Sequence, residues 1–212
     1  MLDSRLQQIA DLVRSGSRLA DIGTDHALLP VQLIRQGICT YVIASDVKKG
    51  PVAAATRTVM EAGFTENIAI RLGDGLSTVS PNEVDDIVIA GMGGETIAAI
   101  LEAAPWVQSD HYRLILQPMT RAEKLRRFLW ESGFEIEKEQ VVQDGRRWYT
   151  VLRVSYTGVA VHPDLLSCYV GRIPLPKGAP YLRLVAKRLQ KQQQGGCDEE
   201  ITRVLQKLEE YI

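Results

Sequence analysis

The fold class this sequence predicts is an open α/β sheet, parallel through five strands and closed by an antiparallel hairpin. Three observations predict it. Short, nearly continuous apolar runs alternate with amphipathic stretches as far as Ser132, the pattern of strands covered on both faces by helices. The first run, in Leu19-Ala20-Asp21-Ile22-Gly23-Thr24-Asp25-His26-Ala27, breaks into an acidic, glycine-containing turn that leads straight into a helical pattern. Where the alternation ends, Gln143-Asp144-Gly145-Arg146 joins two β runs, and Asp-Gly between such runs signals a hairpin.

The elements follow in order. Leu2, Leu6, Ile9, Ala10 and Val13 recur at helical spacing, so the chain opens with an amphipathic helix that stops near Gly16. Arg18–Gly23 is the first strand and Pro30–Gln36 the helix after it. Tyr41–Asp46 is a second strand ending in an acid, and Pro51–Ala62 is a helix with proline in its first turn and Gly63 at its end. Ile68–Leu72 and Asp86–Ala90 are the third and fourth strands, Glu95–Ala103 a helix, and Arg113–Gln117 the fifth strand. The helix Arg121–Ser132 leads into the hairpin strands Phe134–Val142 and Trp148–Val154. A parallel sheet finished by such a hairpin is the Rossmann-like class I methyltransferase architecture, and it separates this chain from dinucleotide dehydrogenases.

Composition breaks at Tyr156-Thr157-Gly158, which divides a domain of residues 1–157 from an appendage of residues 158–212. Pro163, Pro174, Pro176 and Pro180 punctuate the appendage. Two helical segments follow, Pro180–Gln194 and Asp198–Tyr211, split by Gly195-Gly196. Leu182, Val185 and Leu189, then Ile201, Val204, Leu205 and Leu208, form stripes that pack as a coiled-coil-like helical hairpin.

The 212 residues are 45% hydrophobic and 24% charged, enough for one α/β domain plus a small appendage. A net charge of −1 gives no global footprint, so nucleic-acid binding must come from a local patch. Cys39, Cys168 and Cys197 are far apart with no Cys-x-x-Cys, which points to reduced thiols and neither a disulfide framework nor a metal site. No apolar run reaches the roughly 18–20 residues of a membrane span, and the N-terminus lacks signal-peptide character, so a cytoplasmic protein is expected. A monomer or weak homo-oligomer is the expected state.

Ligands bind open α/β sheets at the carboxyl ends of the strands, where this chain carries four candidate loops. In the first, Asp21, Gly23, Thr24, Asp25 and His26 are expected to offer backbone N–H groups and carboxylates. A pyrophosphate-binding turn would need glycines where Asp25 and His26 stand, and the acids suit a ligand with an amino group and a sulfonium. That chemistry points to S-adenosylmethionine. Asp46 ends the second strand roughly twenty residues beyond Gly23, where an acid takes ribose hydroxyls. Gly73-Asp74-Gly75-Leu76 follows the third strand, with Asp74 for the adenine amine and Leu76 to cover the ring. Ala90-Gly91-Met92-Gly93-Gly94-Glu95 follows the fourth, its glycines opening a crevice. Singly these are turn formers and packing glycines; their joint occurrence in order at four strand ends is what points to a site.

A basic strip lies outside these loops. No acid falls between Asp164 and Asp198, while Arg172, Lys177, Arg183, Lys187, Arg188 and Lys191 do. Arg121, Lys124, Arg126 and Arg127 follow the fifth strand, and Arg146 and Arg147 sit in the hairpin turn. A charge run is ordinarily a solvated face, but clearing acids from one segment of a balanced chain suggests phosphate contacts. Arg183, Lys187, Arg188 and Lys191, with Arg121, Arg126 and Arg127, are the candidate substrate-binding residues.

Together Asp21–Ala27, Gly50-Pro51, Gly73–Leu76, Ile89-Ala90-Gly91-Met92-Gly93-Gly94 and Leu114-Ile115-Leu116-Gln117-Pro118 resemble the characteristic blocks of the bacterial tRNA (adenine-22-N1)-methyltransferase family. The resemblance spans nearly the whole chain. It implies methyl transfer from S-adenosylmethionine to N1 of an adenine in the D-arm region of tRNA. The Asn-Pro-Pro-Tyr motif of many adenine methyltransferases is absent, with Ala90-Gly91-Met92-Gly93 in its place, which fits an N1 target. N1 has a free in-plane lone pair, so alignment can replace a general base. Asp25 and His26 are the candidate catalytic residues, and Met92, Pro118 and His26 the candidate walls for a base flipped from its pairing. A small-molecule methyltransferase or a non-catalytic cofactor- or RNA-binding module are the alternatives.

Overall fold

The computed structural model describes residues 2–194 and 198–211, with the side chain of residue 211 outside the description. The Gly195-Gly196 turn and Cys197 also lie outside the described residues. Seven strands form one sheet: β1 (Ser17–Ile22), β2 (Cys39–Asp46), β3 (Ile68–Leu72), β4 (Asp86–Gly93), β5 (Arg113–Thr120), β6 (Phe134–Asp144) and β7 (Arg147–Tyr156). Their spatial order is β3-β2-β1-β4-β5-β7-β6. The first five are mutually parallel and β7 is antiparallel to both β5 and β6, as the hairpin signal predicts.

The strands read as continuous apolar runs because both faces are covered. On one face Ala20, Ile22, Ile43, Ile87, Ile89, Leu114 and Leu116 meet Ile97 and Leu101 of α4 (Gly94–Glu102) and Leu125 and Leu129 of α5 (Ala122–Glu131). On the other, Leu19, Val42, Ala44, Val88 and Ile115 meet Ile9 of α1 (Ser4–Ala10), Leu29 and Leu33 of α2 (Leu28–Arg35), and Ala55 and Val59 of α3 (Lys49–Ala62). Alternate strand residues thus feed opposite cores.

Three expectations are corrected. The first helix ends at Ala10, and the chain then turns to Gly16, whose N–H donates to the Ile38 carbonyl. The fourth strand runs on to Gly93 and the fifth to Thr120, because Met92 and Gly93 still pair with Pro118 and Thr120 across a register shift after Ala90. The stretch read as a glycine loop is a bulged strand. The proline-rich segment also hides a helix, α6 (Leu165–Val170), capped by Asp164, whose carboxylate accepts the Ser167 N–H.

The appendage carries α6, α7 (Ala179–Gln193) and α8 (Glu199–Tyr211). Leu182, Val185 and Leu189 of α7 pack with Ile201, Val204, Leu205 and Leu208 of α8, and Val141 and Trp148 of the β6–β7 hairpin border that cluster. Among the described residues no helix is long and apolar enough to cross a membrane. Cys39 and Cys168 are free and buried.

Candidate cofactor and substrate site

A crevice of about 660 Å³ opens at the carboxyl ends of β1, β2 and β4, within the range of small-ligand pockets. Asp21, Gly23, Thr24, Asp25 and His26 line it from the first turn, Asp46 and Lys48 from the end of β2, and Ala90, Gly91 and Met92 from β4. Arg5 of α1 and Met119 of β5 complete the wall.

The first turn is built for close approach. Gly23 sits at φ 81, the left-handed region that strains any residue with a Cβ, and a Cβ there would also displace the flexible Met92 methyl group. The Gly23 and Thr24 N–H groups donate to the Ser45 carbonyl at 2.8 and 2.9 Å. That corrects the expectation that these donors face a ligand: they stitch the turn to β2. What the turn offers instead is charge. Asp21 is 7% exposed, and burial pushes its carboxyl up to about 6, opposed by hydrogen bonding to Thr24 and by the charge of Arg5. Asp25 and His26 stand exposed at the mouth, with His26 Nε2 3.6 Å from an Asp25 oxygen.

Asp46 is half-buried, and its Oδ1 accepts the Lys48 N–H at 2.8 Å. The bond fixes the carboxylate at the strand end while the second oxygen keeps its acceptor capacity. Buried Gln117 ties the opposite wall together. Its Oε1 accepts both the Arg5 Nη1 at 3.0 Å and the Gly91 N–H at 3.1 Å, so one side chain holds α1 against the β4 bulge.

Not every expected residue reaches this crevice. Asp74, Gly75 and Leu76 line a second cleft with Thr96, Ile100 and Trp106. Gly73 links the two, its N–H donating to the Asp46 carbonyl at 3.0 Å. Leu76 is packed in the core, a correction to the idea that it stands free over a ring. Gly93 ends β4 beside Thr120, away from the crevice. Pro118 is buried within β5, and Met119 takes the wall position expected of it.

The basic residues also divide. Arg183, Lys187, Arg188 and Lys191 are all exposed along α7, and Arg121 is exposed at the head of α5. Arg127 is half-buried. Arg126 is a correction: at 1% exposure it cannot meet a phosphate. Its Nε and Nη2 donate to the buried Glu139 carboxylate at 3.0 and 2.6 Å, and Nη1 donates to the Cys168 and Tyr169 carbonyls of α6. Glu139 also accepts the Thr150 hydroxyl and the Arg172 N–H. Gly171 ends α6 against this pair, and a Cβ there would strike both Glu139 and Arg126. The network rivets the appendage to the sheet.

Sequence reasoning missed Arg5 as a crevice residue, Gln117 as the buried group that holds it, and Glu139 altogether. The block Leu114–Pro118 contained Gln117, but nothing local pairs it with a residue 112 positions away.

The chain is similar to known proteins over most of its length. A methyltransferase-domain family profile matches residues 2–152. The tRNA (adenine(22)-N(1))-methyltransferase of Bacillus subtilis is 35% identical over 172 residues, covering 78% of this chain and 72% of that one. A Streptococcus pneumoniae protein crystallised with S-adenosyl-L-methionine superposes with a TM-score of 0.87 at 31% identity, over 99% of each chain. M. capricolum TrmK with S-adenosyl-homocysteine gives 0.83 at 26% identity, over 100% of this chain and 97% of its own.

Proposed function

The chain belongs to the tRNA (adenine(22)-N(1))-methyltransferase family, and from that premise we propose how its residues divide the work. The reaction is transfer of a methyl group from S-adenosylmethionine to N1 of an adenine in the D-arm region of tRNA. Bound S-adenosylmethionine supplies an electrophilic methyl group on a sulfonium. The polar groups of that cofactor have partners of matching chemistry here. Asp21 takes the amino group, Arg5 the carboxylate, and Asp46 the ribose diol. Asp74 takes the adenine amine, which requires the ligand to extend past Gly73 into the second cleft. Asp21, buried beside Arg5, is the observation that carries this assignment.

The target N1 presents its own lone pair, so the protein need not remove a proton before attack. Its task is alignment, with Met92, Met119 and His26 bounding the space beside the crevice. Asp25 is 79% exposed, and in a water-like dielectric its charge stabilises developing positive charge only weakly. We assign Asp25 and His26 to substrate contact at the mouth, with no general base.

Residues 158–212 form the RNA-contacting appendage, and Arg183, Lys187, Arg188 and Lys191, with Arg121 and half-buried Arg127, meet tRNA phosphates. The protein acts in the cytoplasm as a monomer or weak homo-oligomer. The test is nucleoside mass spectrometry of tRNA incubated with purified protein and S-adenosylmethionine. 1-Methyladenosine is expected; its absence from tRNA that contains adenine at position 22 overturns the reading.

A further inference from the structure

We propose that a cleft between the head of α5 and the appendage receives a second, unpaired nucleotide of the RNA, a guanine, outside the methylation crevice; the proposal rests on the RNA-methylating reading above. The cleft measures about 370 Å³ and is lined by Arg121 and Glu123 of the α5 head, Tyr169 of α6, Arg188 and Gln192 of α7, and Arg126, whose charge is already committed to Glu139. It lies beside the crevice. Thr120 lines the cleft and its β5 neighbour Met119 lines the crevice, and consecutive strand residues face opposite ways, so the two sites flank the end of one strand.

Each part of the cleft matches a part of a nucleotide. Arg121 and Arg188 are exposed at its lips and suit a phosphate. The first turn of the ten-residue helix α5, whose Ala122 and Glu123 line the cleft, has no side-chain cap, although its Lys124 N–H is already committed to the Arg121 carbonyl. Half-buried Tyr169 lines the cleft, and an aromatic ring there suits stacking, the usual means of holding a splayed RNA base. Glu123 decides what enters. Its carboxylate side chain is only 16% exposed and 3.8 Å from Arg121, so it repels a phosphate from the interior but accepts from a base edge. A carboxylate has two acceptor oxygens side by side, and guanine alone among the bases offers two adjacent N–H donors, N1 and N2, on its pairing edge. Phosphate at the lips and guanine inside satisfies all four features, whereas an apolar peptide would leave Glu123 and both arginines unmatched.

The test uses the full chain and an unmodified tRNA transcript with adenine at position 22. Kethoxal, which attacks the N1–N2 edge of unpaired guanine, is applied with and without protein. Wild type is expected to protect one guanine outside the base pairs. Glu123→Gln and Tyr169→Ala should lose that protection and raise KM for the transcript about tenfold, with KM for S-adenosylmethionine unchanged. Tyr169→Phe, which keeps the ring, should behave as wild type. A wild-type footprint and KM in Glu123→Gln overturns the proposal, as does Tyr169→Phe failing like Tyr169→Ala, since the hydroxyl and not stacking would then matter. If wild type methylates the transcript but protects no guanine, only this cleft assignment falls; if wild type methylates no tRNA, the functional reading falls with it.

Discussion

The acids of the crevice and the cations of α7 hold charge in opposite ways. Asp21 is buried and Asp46 half-buried, each fixed by bonds to the turn that carries it, while Arg183, Lys187, Arg188 and Lys191 all stand in solvent. A buried carboxylate acts through one or two strong contacts that salt barely screens. Exposed cations act by number, and salt screens them over about 8–10 Å. The difference teaches what to test: under the proposed function, identity and position should matter in the crevice, and count and ionic strength on the appendage.

The joint between these parts gives the largest effect. Arg126→Ala leaves Glu139 as an uncompensated buried charge and should cost about 3–5 kcal/mol in denaturant unfolding. A cost below about 1 kcal/mol would show that the appendage is not riveted there. Replacing both residues by apolar ones of similar volume should restore most of the loss, since no orphaned charge remains.

Within the crevice, Asp46→Ala should weaken S-adenosylmethionine binding about ten- to a hundredfold by calorimetry, the value of two charge-assisted hydrogen bonds. Unchanged affinity in the folded variant removes Asp46 from the site. The pH profile separates Asp21 from its neighbours. Its folded value, about 6, lies above its ordinary 3.8, so the ionised form that would meet an amino group is lost as pH falls through 6. Affinity should drop about tenfold between pH 7 and pH 5, and Asp21→Asn should flatten that profile while lowering affinity at neutral pH. The same shift makes Asp21 cost stability as pH rises from about 4 to 6, with no further change above.

The smallest expected effect per residue lies on α7. Neutralising Arg183, Lys187, Arg188 and Lys191 together should leave S-adenosylmethionine binding intact and reduce the log–log salt slope of tRNA binding by roughly 3, at about 0.7–0.9 per phosphate contact. An unchanged slope would make the strip a solvated face and move the RNA to Arg121, Arg127 and Arg146.

The sheet was legible because its strands are short, doubly buried and punctuated, so each apolar run has one reading. Asp21 and Asp46 were legible for a related reason: the fold fixes what lies at a strand end. Arg5 and Gln117 were not, because their meeting joins residues 112 apart, and no local pattern encodes a long-range hydrogen bond. Arg126 was misread because a cation in a basic run looks the same in sequence whether it faces water or Glu139. The bulged end of β4 was misread as a loop because its glycines were taken to end pairing, when they allow the strand to continue out of register.

The Arg126–Glu139 rivet has a consequence for synthesis. A chain made from its N-terminus delivers Arg126, Glu139 and Thr150 before the Cys168 and Tyr169 carbonyls and the Arg172 N–H that complete their hydrogen bonding. The buried pair between α5 and β6 therefore stays incompletely satisfied until residues 168–172 emerge. Final closure around this buried pair is thus timed by the arrival of the appendage.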